Sequence, residues 1–147
     1  MKKGFTLIEL LIVVAIIGVL STLLMSNFVG VRQRGRDAER KSNLRQIQSA
    51  LEMYRADNGL YPLTAAFPAC GTSFTYDDGG NVTTYMQKVP CDPVNSGPLV
   101  LTYTSNNGST YTLISCLENV NDSQKDPAPT DPQCDGVNSW SYTLLNP

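Results

Sequence analysis

The chain has 147 residues, 41% of them apolar, with 11 Lys and Arg against 13 Asp and Glu, four Cys and no His. That length holds one modest domain plus a tail or anchor. The lack of histidine excludes Ser-His-Asp and Cys-His nucleophiles, His-ligated zinc and His acid–base steps, hence most hydrolase chemistry, and a net charge of -2 argues against a general nucleic-acid binder.

The composition changes near Asp57. All nine prolines fall at or after Pro62, all four cysteines at or after Cys70, and seven of the eleven basic residues lie between Arg32 and Arg55. This pattern predicts one long helix followed by a loop-rich head. From Leu10 to Val31 there are 22 consecutive residues without a charge. A bilayer core needs about 20 apolar residues in a helix, so the segment is long enough to span one. Lys2 and Lys3 ahead of it would stay cytoplasmic, which places the head outside.

A cleaved secretory signal or a simple anchor would share these features, but Leu20 to Phe28 contains no good small-x-small cleavage site. Nor does either account for Glu9. A carboxylate costs roughly 2.5 to 3.5 kcal/mol at a membrane centre, less near the interface, and intramembrane acids usually have a partner.

Gly4-Phe5-Thr6-Leu7-Ile8-Glu9 before an aliphatic run resembles the class III leader of type IV pilins and of the pseudopilins of type II secretion. The resemblance implies cleavage between Gly4 and Phe5 by a prepilin peptidase, methylation of the new Phe5 amine and retention of the apolar helix. Ala50 to Pro62 is similar to the end of the long helix in major pseudopilins, and Val89-Pro90-Cys91-Asp92-Pro93 to the segment before their sheet. Ser26 and Asn27 stand where many members have proline and asparagine, so helix melting in a filament would rest on Gly18 and Gly30. In this family Glu9 is implied to neutralise the Phe5 amine of a neighbouring copy. Opposite charges about 4 Å apart attract by about 4 kcal/mol at an effective dielectric near 20, which offsets part of the burial cost. A Glu9 that merely sits in the headgroup zone is the plainer alternative.

Leu44, Ile47, Leu51 and Tyr54 form a helical stripe that should bury against the head. Asp37 with Lys41 and Glu52 with Arg55 have the spacing of surface ion pairs. The basic run Arg32, Arg34, Arg36, Arg40, Lys41 and Arg45 has several uses open to it: lipid headgroups, DNA, acids of other copies, or plain solvent. Residues 5–56 hold 7 bases and 4 acids and residues 57–147 hold 2 bases and 9 acids, which favours contact between copies. The absence of interleaved aromatics argues against DNA.

Leu99 to Ser105 and Thr110 to Glu118 read as strands joined through Asn106-Asn107-Gly108-Ser109, and Ser139 to Leu145 as a third. A 53-residue helix would be about 80 Å long, more than such a head buries, so the surplus needs a membrane or other copies. The four cysteines suggest two disulfides in an oxidising compartment. Of three connectivities, the two local loops Cys70–Cys91 and Cys116–Cys134 are preferred, each worth about 3 kcal/mol in the chain-entropy model. Asp122, Asp126, Asp131 and Asp135 offer oxygen ligands in one late loop. Major pseudopilins bind calcium in a corresponding loop, although this chain reproduces neither their ligand pattern nor an EF-hand.

The resulting expectation is an α+β fold: leader 1–4, membrane or filament-core helix 5–31, amphipathic helix 32–57, and a disulfide-stapled antiparallel head 58–147. The resemblance implies no enzyme but a filament subunit. It would sit in the cytoplasmic membrane before assembly and in an extracellular pilus or a periplasmic pseudopilus afterwards. Its partners would be other copies of itself, a prepilin peptidase and N-methyltransferase, and an assembly platform protein and ATPase. The alternatives are the major pseudopilin of a type II secretion system and, from another class, a membrane-anchored extracytoplasmic binding domain.

Overall fold

The computed structural model describes residues 4–147, apart from the side chains of residues 23–27. The chain divides into two compact units, Met1–Gln33 and Arg34–Pro147. One helix, α1 (Leu7–Asn58), contributes to both. No proline precedes Pro62, so nothing in this stretch removes an intrahelical donor. The helix stops at Gly59, whose φ of 80° is left-handed and whose N–H donates to the Arg55 carbonyl at 2.7 Å. Glycine adopts that conformation without a Cβ penalty, as a helix C-terminus requires.

In the first unit the side chains from Phe5 to Leu20 are exposed on every face of α1, with the large apolar ones between 47% and 81% accessible. A helix apolar all round is stable only when covered by lipid or by other chains. Among the described residues no helix is long and apolar enough to cross a membrane. The expected span 5–31 takes in residues 23–27, Ser26 and Asn27 among them, whose side chains lie outside that description. The polar Thr22 is satisfied within α1, its hydroxyl donating to the Gly18 and Val19 carbonyls at 3.1 and 2.8 Å.

The second unit contains the head. β1 (Phe74–Asp77) and β2 (Val82–Met86) form an antiparallel hairpin that the sequence reading did not anticipate. Its turn signal, Asp77-Asp78-Gly79-Gly80, was present, but both strands are short and mostly exposed, so they lack the alternation that marks a half-buried strand. β3 (Leu101–Thr104), β4 (Thr112–Leu117) and β5 (Trp140–Leu145) form an antiparallel sheet in that order. Register sets Tyr103 opposite Leu113 and Ser115 opposite Tyr142.

The stripe on α1 supplies one wall of the core. Leu44, Ile47, Ala50 and Leu51 are buried with Tyr61, Phe74, Val89, Tyr103, Tyr111, Leu113, Leu117 and Tyr142. Each aliphatic side chain taken wholly from water contributes about 1.5 to 3 kcal/mol. Aromatic pairs fill the rest, with Tyr54 stacked on Phe74 at 5.3 Å and Phe67 on Tyr103 at 4.3 Å between ring centroids. Burial pushes the Tyr103 hydroxyl up to about 12. The β3–β4 turn closes on the end of α1: Tyr61 N–H donates to the Gly108 carbonyl at 2.8 Å, and a Cβ on Gly108 would stand 2.9 Å from the Tyr61 oxygen. Glycine is required there by space as well as by its φ of 72°. Disulfides join Cys70 to Cys91 and Cys116 to Cys134, with Cα separations of 4.9 and 5.5 Å.

Candidate assembly site

The amino-terminal end of α1 is a capping box. Thr6 precedes the first helical residue, and Glu9 N–H donates to the Thr6 hydroxyl oxygen at 3.3 Å. The Glu9 carboxylate reaches back in turn. Its Oε2 accepts from the Thr6 N–H at 2.8 Å and from the Thr6 hydroxyl at 2.7 Å. Thr-x-x-Glu is the sequence signature of this arrangement, and Thr6-Leu7-Ile8-Glu9 displays it. Both Thr6 donors use Oε2, and among the described residues no donor uses Oε1, so the carboxylate is held in place through one of its oxygens. The carboxylate lies four residues from the Phe5 nitrogen in sequence, and both belong to the exposed apolar end of the helix.

Gly4 is exposed, and a Cβ added to it would meet nothing within 4 Å among the described residues. The fold of this chain therefore does not demand glycine at that position. Phe5 is 80% exposed.

The basic run divides. Arg40 is 1% exposed and lies at the centre of an ionic node: its Nε and Nη2 grip Asp92 at 2.7 and 3.0 Å, and its Nη1 donates to Asp37 and Glu118, each at 2.7 Å. Arg36 also pairs with Glu118. Asp37 and Arg40 continue the buried stripe of Leu44, Ile47 and Leu51, with charges in place of aliphatic groups. Asp37 accepts the Glu118 and Asn119 N–H groups at 2.9 and 2.8 Å, which docks α1 on the end of β4. The Arg36 guanidinium, and then Arg40, hold the Glu118 carboxyl below its ordinary range. Burial opposes ionisation of Arg40, but its three carboxylates outweigh it and keep the guanidinium charged.

Two expected pairings are therefore corrected. Lys41 does not pair with Asp37; its ammonium donates to both oxygens of Asp122, at 2.8 and 2.7 Å. The longer reach wins because Asp37 is already committed to Arg40 and two backbone donors. Glu52 and Arg55 meet through the Tyr61 hydroxyl rather than directly, since it donates to Glu52 at 2.8 Å and accepts from Arg55 at 2.9 Å. Arg36, Arg40 and Lys41 are thus used within the chain, while Arg34 and Arg45 are exposed and make no ion pair among the described residues.

The four late-loop aspartates do not converge. Among the described residues no three His, Cys, Asp or Glu side chains gather as metal ligands. Asp122 holds Lys41; Asp126 accepts from the hydroxyls of Thr130 and Thr143 at 3.0 and 2.7 Å. Asp131 caps the Gln133 N–H at 2.8 Å. Asp135 takes the Asn138 side-chain amide and the N–H groups of Val137, Asn138 and Ser139, which together hold its carboxyl well below the usual range. The residues do not fit a calcium ion, which needs six to eight oxygens converging at 2.3 to 2.6 Å.

Residues 1–25 match the prokaryotic N-terminal methylation motif, and residues 27–128 match the family of type II secretion system protein G. The chain belongs to the type II secretion protein G family. The type II secretion system core protein G of Klebsiella pneumoniae is 33% identical over 103 residues, which cover 65% of this chain and 71% of that protein. Its namesake in Aeromonas hydrophila is 31% identical over 100 residues, 63% of this chain and 67% of the relative. That of Vibrio cholerae is 30% identical over 99 residues, 63% and 65% respectively. No solved structure matches. The family match stops at residue 128, so Cys134 and β5 lie beyond it. Membership in this family, with its methylation motif, makes the chain a subunit of a pilus-like filament.

Proposed function

We propose that this chain is the major pseudopilin of a type II secretion system, made as a membrane-held prepilin and polymerised into a periplasmic pseudopilus. A surface pilus subunit is the alternative, and the names of the relatives favour the pseudopilus. The observation that carries the reading is the apolar start of α1, exposed on every face from Phe5 to Leu20 and opened by Gly4, Phe5 and the Thr6–Glu9 box, in a chain whose residues 27–128 match protein G. Such a helix needs lipid before assembly and other copies after it.

In this reading a prepilin peptidase cuts between Gly4 and Phe5, where glycine offers an unobstructed backbone, and the Phe5 amine is methylated. The new amine remains protonatable, with a reference pKa near 7.7 to 8. The box presents Glu9 as a ready acceptor, and its Oε1 receives the ammonium of a neighbouring copy, so the pair fixes register in the apolar layer. An assembly platform protein and ATPase drive the insertion. The work of the chain is structural, with no catalytic step of its own.

Glu9→Ala tests the reading. The variant should still be cleaved and methylated, yet assemble at a small fraction of the normal yield, measured as cross-linked oligomer ladders from intact envelopes. Normal ladders from a fully processed variant would overturn the role of Glu9.

A further inference from the structure

The late loop between β4 and β5 carries a device that the filament reading does not use. Residues 118–126 hold three carboxylates and several carbonyls in a short stretch, the kind of oxygen-rich loop that a divalent cation often closes. Here two ammonium groups occupy those oxygens. Lys41, reaching from α1, donates to Asp122 Oδ1 and Oδ2 and to Gln124 Oε1 at 2.8, 2.7 and 3.1 Å. Lys125, from the loop itself, donates to the Val120 carbonyl at 2.6 Å.

Each ammonium also faces an aromatic ring of β5. Lys125 Nζ lies 3.9 Å from the Trp140 ring centre, and Lys41 Nζ lies 5.8 Å from that of Tyr142. Trp140 and Tyr142 are two apart on one strand and so share a face of the sheet. The two cations are thereby sandwiched between loop oxygens and the negative faces of aromatic rings, an arrangement suited to an ammonium. A hard divalent ion, by contrast, takes oxygen ligands. The remaining acids are spent: Glu118 on Arg36 and Arg40, Asp126 on Thr130 and Thr143. The Trp140 indole N–H donates to the Asp126 carbonyl at 2.6 Å, and the Cys116–Cys134 bond lies alongside in sequence.

We propose that Lys41 and Lys125 serve as the resident cations of this loop, so that the head folds without calcium. Lys41, being on α1, also makes loop closure and helix docking one event. The proposal goes beyond the filament reading and is independent of it, since a head of any function would show it.

The test uses the full chain in detergent micelles, with the single Trp140 as the fluorescent reporter of the loop. Calcium chloride at millimolar concentration, against a chelator control, should shift the thermal midpoint by less than about 1 °C, because a ligand that does not bind the folded state cannot stabilise it. Calorimetric titration with calcium should give no saturable heat. Lys41→Met and Lys125→Met should each lower the midpoint in chelator by several degrees, and Asp122→Asn should add little to Lys41→Met because the two remove one contact. A saturable binding isotherm near one calcium per chain with a rising midpoint would overturn the proposal, as would lysine variants with an unchanged midpoint. The calcium titration of the unaltered chain decides the matter even if a variant fails to fold.

Discussion

Replacing Arg40 by alanine should unfold the head more readily than any single aliphatic truncation on the stripe of α1. The side chain is 1% exposed and donates to three carboxylates, two of which, Asp37 and Asp92, have side chains only 1% exposed. Its loss leaves those acids buried without a counter-charge. They are not wholly abandoned, because Asp37 keeps the Glu118 and Asn119 N–H groups and Asp92 keeps those of Val94 and Asn95. Removing one partner of a buried ion pair costs about 3 to 5 kcal/mol, and at roughly 4 °C per kcal/mol the midpoint should fall by about 12 to 20 °C. Arg40→Lys retains the charge but cannot form the fork on Asp92, so it should recover about half of that loss. Urea and thermal unfolding of the full chain in micelles, followed by Trp140 fluorescence, measure the free energy and the midpoint for both variants. A loss below about 1 kcal/mol for Arg40→Ala would show that the node is not a buried ion network and would refute the reasoning.

Three further outcomes are expected. Gly108→Ala forces a Cβ to 2.9 Å from the Tyr61 carbonyl at a φ of 72°, so it should cost about 1 to 3 kcal/mol in the same urea assay, whereas Gly4→Ala should leave head stability unchanged. Replacing Cys116 and Cys134 together by serine should cost about 2 to 5 kcal/mol, read from urea midpoints of oxidised and variant protein. Acid should weaken the head. Arg36 and then Arg40 depress the Glu118 carboxyl; Asp122 is also depressed, because burial, which opposes the shift, is outweighed by Lys41 and the Gln124 N–H. A depressed folded value means that the stabilisation is complete above the unfolded values of about 4 and is lost as pH falls below them through the folded ones. Thermal midpoints should therefore be flat from about pH 7 to 5 and decline below about pH 4, and a midpoint that rises on acidification would contradict the ionic assignments.

The features legible in the sequence are those with local periodicity. Leu44, Ile47, Leu51 and Tyr54 repeat at helical spacing, and β3 and β4 flank a clear Asn-Asn-Gly-Ser turn, with β5 marked by its own aromatic and β-branched run. The buried charges were hidden because a lone Asp37 or Arg40 on a helix reads as solvated. Their partners Asp92 and Glu118 lie 52 and 78 residues from Arg40 in sequence, a proximity that only folding creates. Local chemistry likewise sets the arrangement of the acidic loop. Asp131 and Asp135 bond to backbone N–H groups two to four residues on, a short-range competition that dispersed ligand spacing cannot override. The Thr6–Glu9 box was readable from its motif, yet a role for Glu9 toward another copy does not follow from the motif alone.

The most direct test of the central claim is intact and peptide mass spectrometry of the protein recovered from membranes, from cross-linked envelope filaments and from sheared surface material. The account predicts a mature chain that begins at N-methylated Phe5 and is enriched in the envelope filaments. A chain that retains Met1 to Gly4, or that is cut beyond Val31 and found free of any polymer, would contradict it.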